Sequence, residues 1–246
     1  MPHFFVKSET INNGYAVIND EDNYRHIAKS LRVRAGEKLL LIDENKIQYE
    51  TVVEQITNRE ITAKIENSYK STRNLDFRLY LAQSPLRSDA QSVIIEKATE
   101  LGAEAVYPVF TDNCSLNKTV IEKKITKWQR IIYEASKQCE RADIPTCEKL
   151  ATLEKLLSEH NFDKIIAFCE RRTNRTLHEY CLENPLIKGE KVLVIIGPEG
   201  GFSDKEFDFF KENNIPMITL GDLILKAETA VIVALGNIIY EYSNQK

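Results

Sequence analysis

From Phe77 to the C-terminus, short runs of branched and aromatic apolar residues alternate with longer stretches in which apolar residues recur every three or four positions. The short runs read as strands buried on both faces and the longer periods as helices. A βα series of this kind builds a mostly parallel sheet covered by helices on both sides. The spacing predicts strands over Phe77–Ala82, Ala105–Phe110, Lys164–Phe168, Val192–Ile196 and Pro216–Leu220. It predicts helices over Ser88–Leu101, Thr119–Lys137, Thr152–His160, Thr176–Leu182, Ser203–Asn213 and Glu228–Tyr240. Thr119-Val120-Ile121-Glu122 and Ser203-Asp204-Lys205-Glu206 match the capping box, in which two side chains satisfy the free N–H groups of a helix start.

The first seventy or so residues follow a different period. Glu37–Asp43, Ile47–Gln55 and Ile61–Ile65 mix β-branched and polar residues as half-buried strands do, with Asp43-Glu44-Asn45 as a hairpin connection. One helix, Asp22–Leu31, interrupts them, and Gly36 supplies the turn into the next strand. This reads as a small β-barrel carrying one helix. The polar stretch Asn67–Asn74 reads as a linker, dividing the chain into domains over 1–70 and 74–246.

Composition narrows the function. With 33 Lys+Arg against 37 Asp+Glu the formal charge is −4, so no global field draws the molecule to nucleic acid or anionic lipid. Any RNA contact needs a local patch, and Arg25, Lys29, Arg32, Arg34 and Lys38, opposed by Glu37 alone, supply one. The bland alternative is a charge run that keeps a helix face solvated. The five cysteines form no Cys-x-x-Cys, which points to neither a disulfide framework nor a zinc site and fits a reducing cytoplasm. The N-terminus lacks a secretory pattern, and Ala230–Ile239 is too short for the ~20 residues that span a bilayer. No metal and no membrane contact are expected.

The densest chemical signal is Val192–Ile196 followed by Gly197-Pro198-Glu199-Gly200-Gly201-Phe202 and the capped helix. Ligands of open α/β sheets sit beyond the carboxyl ends of strands, and glycines let backbone approach them closely. The loop is neither the dinucleotide fingerprint nor the P-loop, and Glu199 puts negative charge where a phosphate would go. A flat, polar, cationic ligand such as S-adenosylmethionine is better tolerated; a tight loop with no ligand is the alternative. A second strand end, Leu220-Gly221, runs through Ile224, Leu225, Lys226 and Ala227 into a helix whose first turn holds Glu228 and Thr229. Glu228 is either a first-turn acid complementing the helix dipole or a catalytic group.

These two segments, with Lys97-Ala98-Thr99-Glu100-Leu101-Gly102, Gln138, Arg141, Pro145 and His26–Gly36, resemble the ribosomal RNA small-subunit methyltransferase E family of the SPOUT superfamily over essentially the whole chain. The resemblance implies an α/β fold: a C-terminal SPOUT-type knotted domain and a small N-terminal PUA-like β-barrel that binds RNA. It also implies a homodimer that methylates uridine N3 of small-subunit ribosomal RNA, naked or in the assembled small ribosomal subunit, with S-adenosyl-L-methionine as cofactor. Carried over residue by residue, Ile196, Gly197, Glu199, Gly200 and Gly201 form one cofactor loop. Leu220, Gly221, Ile224, Leu225, Ala227 and Thr229 form the other, and Glu170 lines the same cavity.

Glu228 and Arg141 stand as the catalytic pair, Arg141 as a substrate-side donor, with Arg25, Lys29, Arg32, Arg34, Arg87 and Lys97 as RNA contacts. Lys226-Ala227 stands where Arg-Thr is usual in that family, Asp222-Leu223 where Pro-Arg is common, and Cys114 and Ala90 where basic residues are usual. Lost arginines remove forked donors that Lys does not replace. They motivate the alternative of a non-catalytic RNA-binding protein; a nucleotide-dependent oxidoreductase is disfavoured by the missing phosphate fingerprint. Methyl transfer needs no protein nucleophile, so the scattered cysteines and the lack of a Ser/His/Asp order raise no objection.

Overall fold

The computed structural model describes residues 3–71, 75–170 and 172–244. The chain forms two compact units. One is Met1–Asn74 with Ser136–Asp143; the other is Leu75–Ala135 with Ile144–Lys246.

The first unit is built on a six-stranded sheet of β1 (His3–Phe5), β2 (Ile11–Asn12), β3 (Tyr15–Ile18), β4 (Lys38–Ile42), β5 (Ile47–Ile56) and β6 (Ile61–Lys70), in the order β1-β4-β5-β6-β3-β2. Phe4, Ile18, Ile27, Leu39, Leu41 and Ile61 fill its core. The hairpin at Asp43 forms because the Asp43 carboxylate accepts the N–H groups of Asn45 (2.9 Å) and Ile47 (3.0 Å) and the Tyr49 hydroxyl (2.9 Å). Burial and this contact push the Tyr49 hydroxyl pKa up to about 12.

Two expectations change here. Asn67–Lys70, read as linker, continues β6 and pairs with Ile47–Glu50, because backbone ladder bonds recruit an exposed polar segment that carries no apolar period; residues 72–74 lie outside the described residues. The helix over Asp22–Leu31 is a short α1 (Glu21–Tyr24), capped by Asp20, that widens into a π-helical turn over Arg25–Ser30. Leu31 N–H reaches back five residues to the His26 carbonyl (2.9 Å), and Arg32 at φ 54° ends the segment.

The second unit has a six-stranded sheet, wholly parallel, in the order β12-β10-β11-β7-β8-β9. Its strands are β7 (Arg78–Gln83), β8 (Ala103–Pro108), β9 (Thr146–Cys147), β10 (Lys164–Phe168), β11 (Lys191–Ile196) and β12 (Met217–Ile218). Its helices are α2 (Ser88–Glu100), α3 (Lys118–Gln138), α4 (Leu153–Glu159), α5 (Leu177–Glu183), α6 (Asp204–Glu212) and α7 (Ala227–Asn244). Alternate strand residues point to opposite faces. Leu79, Leu81, Val192 and Val194 pack with α2, α3, α5 and α7, while Tyr80, Ala82, Leu193 and Ile195 pack with α4 and α6.

Register aligns the strand ends: Ile196 is level with Gln83 and Phe168, and Phe168 with Ile218, so several loops leave the sheet along one edge. Helix α3 starts one residue early because Asn117, not Thr119, caps it; its side-chain oxygen accepts the Val120 N–H at 2.9 Å. Strand β12 is shorter than Pro216–Leu220 because Thr219 leaves the ladder to bond the Arg175 carbonyl at 2.9 Å.

Candidate active site

Three loops from that edge, after β10, β11 and β12, enclose a cavity of about 760 Å³ with the first turn of α7 and Ala90 of α2, a size typical of small-molecule sites. Its floor is apolar, with Phe168, Ile196, Phe202 and Leu220. Its charged lining is Glu170, Glu199 and Glu228 against Arg172 and Lys226. Arg172 is engaged elsewhere, its guanidinium 2.6 Å from Asp204 and 4.7 Å over the Phe207 ring.

The wall formed by the β11–α6 loop is held from several sides. Gly201 N–H closes a turn onto the Pro198 carbonyl (2.9 Å), and Gly201 sits at φ 69°, where a side chain would be strained. Ser203 caps α6 in a full capping box with Glu206. Asp112 and Asn113, from the loop after β8, brace this wall. Asn113 Nδ2 donates to the carbonyls of Gly200 (3.3 Å) and Gly201 (3.1 Å). The Asp112 carboxylate accepts the Ser203 hydroxyl (2.7 Å), while Asp112 N–H donates to Glu206 (3.1 Å). A Cβ on Gly200 would lie 3.1 Å from Asn113 Cβ, so only glycine lets the brace close without displacement.

The wall after β12 is tied more lightly. Leu225 N–H donates to Glu170 Oε1 at 2.7 Å, and the Thr219 hydroxyl bridges the Gly221 carbonyl (3.0 Å) and N–H (3.1 Å). Leu223 and Ile224 are 79% and 57% exposed. Cys169 lines the cavity, and burial pushes its thiol pKa up to about 12, so it holds its proton and offers no thiolate at neutral pH.

Of the expected cofactor residues, Glu170, Ile196, Gly197, Glu199, Gly200, Gly201, Leu220, Ile224, Leu225 and Ala227 line the cavity, with Glu228 beside them. Gly221 and Thr229 lie in the same loop and helix but not on the cavity wall. Of the two arginines following Glu170, Arg172 lines the cavity and Arg171 lies outside the described residues.

Arg141 is not in the lining. It belongs to the N-terminal unit, is 9% exposed and pairs with Asp143 at 3.0 Å. The sequence period ends with α3 and carries no sign of the fold-back that Glu140 makes at φ 55°, with Arg141 N–H on the Ser136 carbonyl. Asp143 also pairs with Lys46 at 3.0 Å. Burial raises the Asp143 pKa, but Arg141 and Lys46 outweigh it and hold the carboxyl below its ordinary value.

The expected RNA contacts divide. Lys29, Arg32 and Arg34 are exposed, whereas Arg25 pairs with Glu21 and Lys38 with Glu66 at 3.0 Å. Arg87 is exposed, its N–H 3.5 Å from Glu199. Lys97 is paired with Glu100 and Glu96, both at 2.8 Å, which raise its pKa.

Asp112 and Asn113 were missed. The signal was available: they follow a predicted strand at the same carboxyl edge as the glycine loop.

A parallel sheet with a small-molecule cavity beyond its strand ends, in a chain that also holds a barrel-like β unit, defines a two-part α/β protein with a candidate ligand site in its second part. Residues 73–239 match the family model described as RNA methyltransferase domain, and residues 18–66 the one described as RNA methyltransferase PUA domain. The chain belongs to this RNA methyltransferase family. It is 26% identical over 225 residues to the ribosomal RNA small subunit methyltransferase E of Bacillus subtilis (89% of this chain, 88% of the relative). It is 29% identical over 242 residues to that of Mesomycoplasma hyopneumoniae (97% and 99%). The crystal structure of the Neisseria gonorrhoeae ribosomal RNA small subunit methyltransferase E bound to S-adenosyl methionine superposes with a TM-score of 0.82 at 22% identity, over 97% of this chain and 96% of that one, and shares the fold.

Proposed function

We propose that the chain is an S-adenosyl-L-methionine-dependent methyltransferase that modifies uridine N3 of small-subunit ribosomal RNA. The observation that carries the reading is the braced glycine wall: backbone is held open at Gly200 and Gly201 beside an apolar floor, with three acids around the cavity against Lys226 and an Arg172 already paired with Asp204. That donor set fits a flat cationic cofactor, which when bound supplies a methyl group on a sulfonium. Gly197–Gly201 and Leu220–Ala227 would hold it, with Glu170 fixing the second segment through Leu225 N–H.

On the substrate side, a bond from uracil N3 to the methyl carbon forms as the carbon–sulfur bond breaks, and the N3 proton leaves to solvent. Negative charge builds on the uracil oxygens as it does. Lys226 lines the cavity and, among the described residues, has no carboxylate partner, so it is the cation free to balance that charge. Glu228, half-buried on α7, faces the cavity as the acid that orients the reacting groups. Arg141, committed to Asp143, supports the fold of its own unit.

We extend the reading to a cytoplasmic homodimer with the threaded backbone that the resemblance implies. Exposed apolar residues on α2 and α7, Val93 (38%), Ile232 (37%) and Tyr240 (66%), support an interface between copies. The test is methyl transfer from labelled S-adenosylmethionine to small ribosomal subunits lacking the modification, with mass spectrometry locating it. Methylated uridine N3 is expected. Cofactor binding by calorimetry without transfer would instead favour a non-catalytic RNA-binding protein.

A further inference from the structure

Helix α3 buries Ile121, Trp128 and Ile132 against the sheet. Its opposite face carries Lys123, Lys127 and Arg130, all exposed. At about 100° per residue these three fall within about 60° of arc, roughly opposite the buried residues. From Lys118 to Arg130 the helix holds five cations (Lys118, Lys123, Lys124, Lys127, Arg130) against Glu122 alone, in a chain whose formal charge is −4.

Exposed lysines on other helices have acidic neighbours, as in Lys155–Glu159 on α4 and Lys211–Asp208 on α6. Among the described residues, no carboxylate pairs with Lys123, Lys124, Lys127 or Arg130. Like charges three and four residues apart repel and cost helix stability. Glu134, one turn beyond Arg130, is the one acid on this face, so the stripe is a net positive surface whose first two members, Lys123 and Lys127, have no acid beside them on it. Its first member, Lys123, follows Asn113, which braces the glycine wall, by ten positions: five up to the start of α3, about 17 Å at most, and five along the helix, about 7.5 Å of rise.

We propose that the Lys123–Lys127–Arg130 face of α3 is a docking surface for the RNA phosphate backbone, holding the substrate strand beside the cavity. The inference rests on the RNA methyltransferase reading and adds a location to it. A phosphodiester chain is the partner that fits, because the stripe offers charge along a line and no apolar or aromatic residue between its cations. Such contacts set affinity and its salt dependence without reading sequence.

The test is binding of a small-subunit ribosomal RNA transcript across a salt series by the full chain and by Lys123→Gln/Lys127→Gln/Arg130→Gln. Glutamine removes charge while keeping helix propensity. A control carries Lys155→Gln/Lys188→Gln/Lys211→Gln, which removes three acid-paired cations elsewhere. The expected result is a slope of log affinity against log salt shallower by about 2 in the α3 variant, at about 0.7 per lost phosphate contact. Little change is expected in the control, and cofactor affinity is expected to match wild type in both. A wild-type slope in the α3 variant, or an equal loss in the control, overturns the docking surface while leaving the methyltransferase reading in place. A wild-type chain that binds no RNA also overturns the docking surface, whereas the methyltransferase reading falls only if small ribosomal subunits accept no methyl group.

Discussion

The two walls of the cavity, after β11 and after β12, are held in different ways. The wall after β11 is fixed by its own capping box and by side chains from a third loop, Asp112 and Asn113. The wall after β12 hangs on one carboxylate, Glu170, and a local Thr219 turn, and leaves Leu223 and Ile224 in solvent. One wall is fixed by several bonds from the loop after β8; the other is held by fewer. On the proposed function, such pre-organisation lowers the ordering cost of binding at the wall that would hold the cofactor.

The comparison breaks most sharply at Gly200. Gly200→Val should weaken cofactor binding about 100-fold by calorimetry, since a branched side chain drives Asn113 off two carbonyls and adds an overpacking cost of 1–3 kcal/mol. Lys226→Ala, on the lighter wall, should lower turnover about 30-fold with cofactor affinity unchanged. The effect is smaller than for an enclosed donor because Lys226 is exposed. Equal losses of affinity in the two variants would show that both walls serve the cofactor alike.

Asn113→Ala removes the brace without adding bulk and should raise the cofactor dissociation constant about tenfold, the worth of the shared donor at about 1.4 kcal/mol. Asn113→Asp, which turns the donor into an acceptor, should do no better, whereas Asn113→Gln should recover part of the loss. The smallest effect on the site belongs to Asp143→Asn in the N-terminal unit. Because the folded carboxyl is held low, its stabilisation is present above the unfolded pKa near 3.9 and is lost as pH falls through the folded value. The variant should melt a few degrees below wild type at pH 7 and converge with it in acid, with turnover at permissive temperature unchanged. A loss of turnover there would restore Arg141 and its partner to the reaction.

Much of the cavity lining was legible because its residues are contiguous. Gly197–Ser203 and Leu220–Thr229 each combine a strand end, glycine and a helix start, and those local patterns need no tertiary knowledge. The brace was less legible, since Asp112 and Asn113 lie some ninety residues from the loop they hold. Lys97 and Arg25 show the reverse case. Their charge was plain in the sequence, and the structure adds the acidic partners beside them.

Period and capping chemistry determined the βα alternation, the strand ends that carry the loops and the glycines that line them, because those properties depend on neighbours within about one helical turn. Strand order, the fold-back that assigns Ser136–Asp143 to the first unit, the pairing of Arg141 with Asp143 and the meeting of three loops over one cavity were decided by tertiary structure. They depend on which distant segments share a low-dielectric interior, and a linear pattern of residues does not encode that distance.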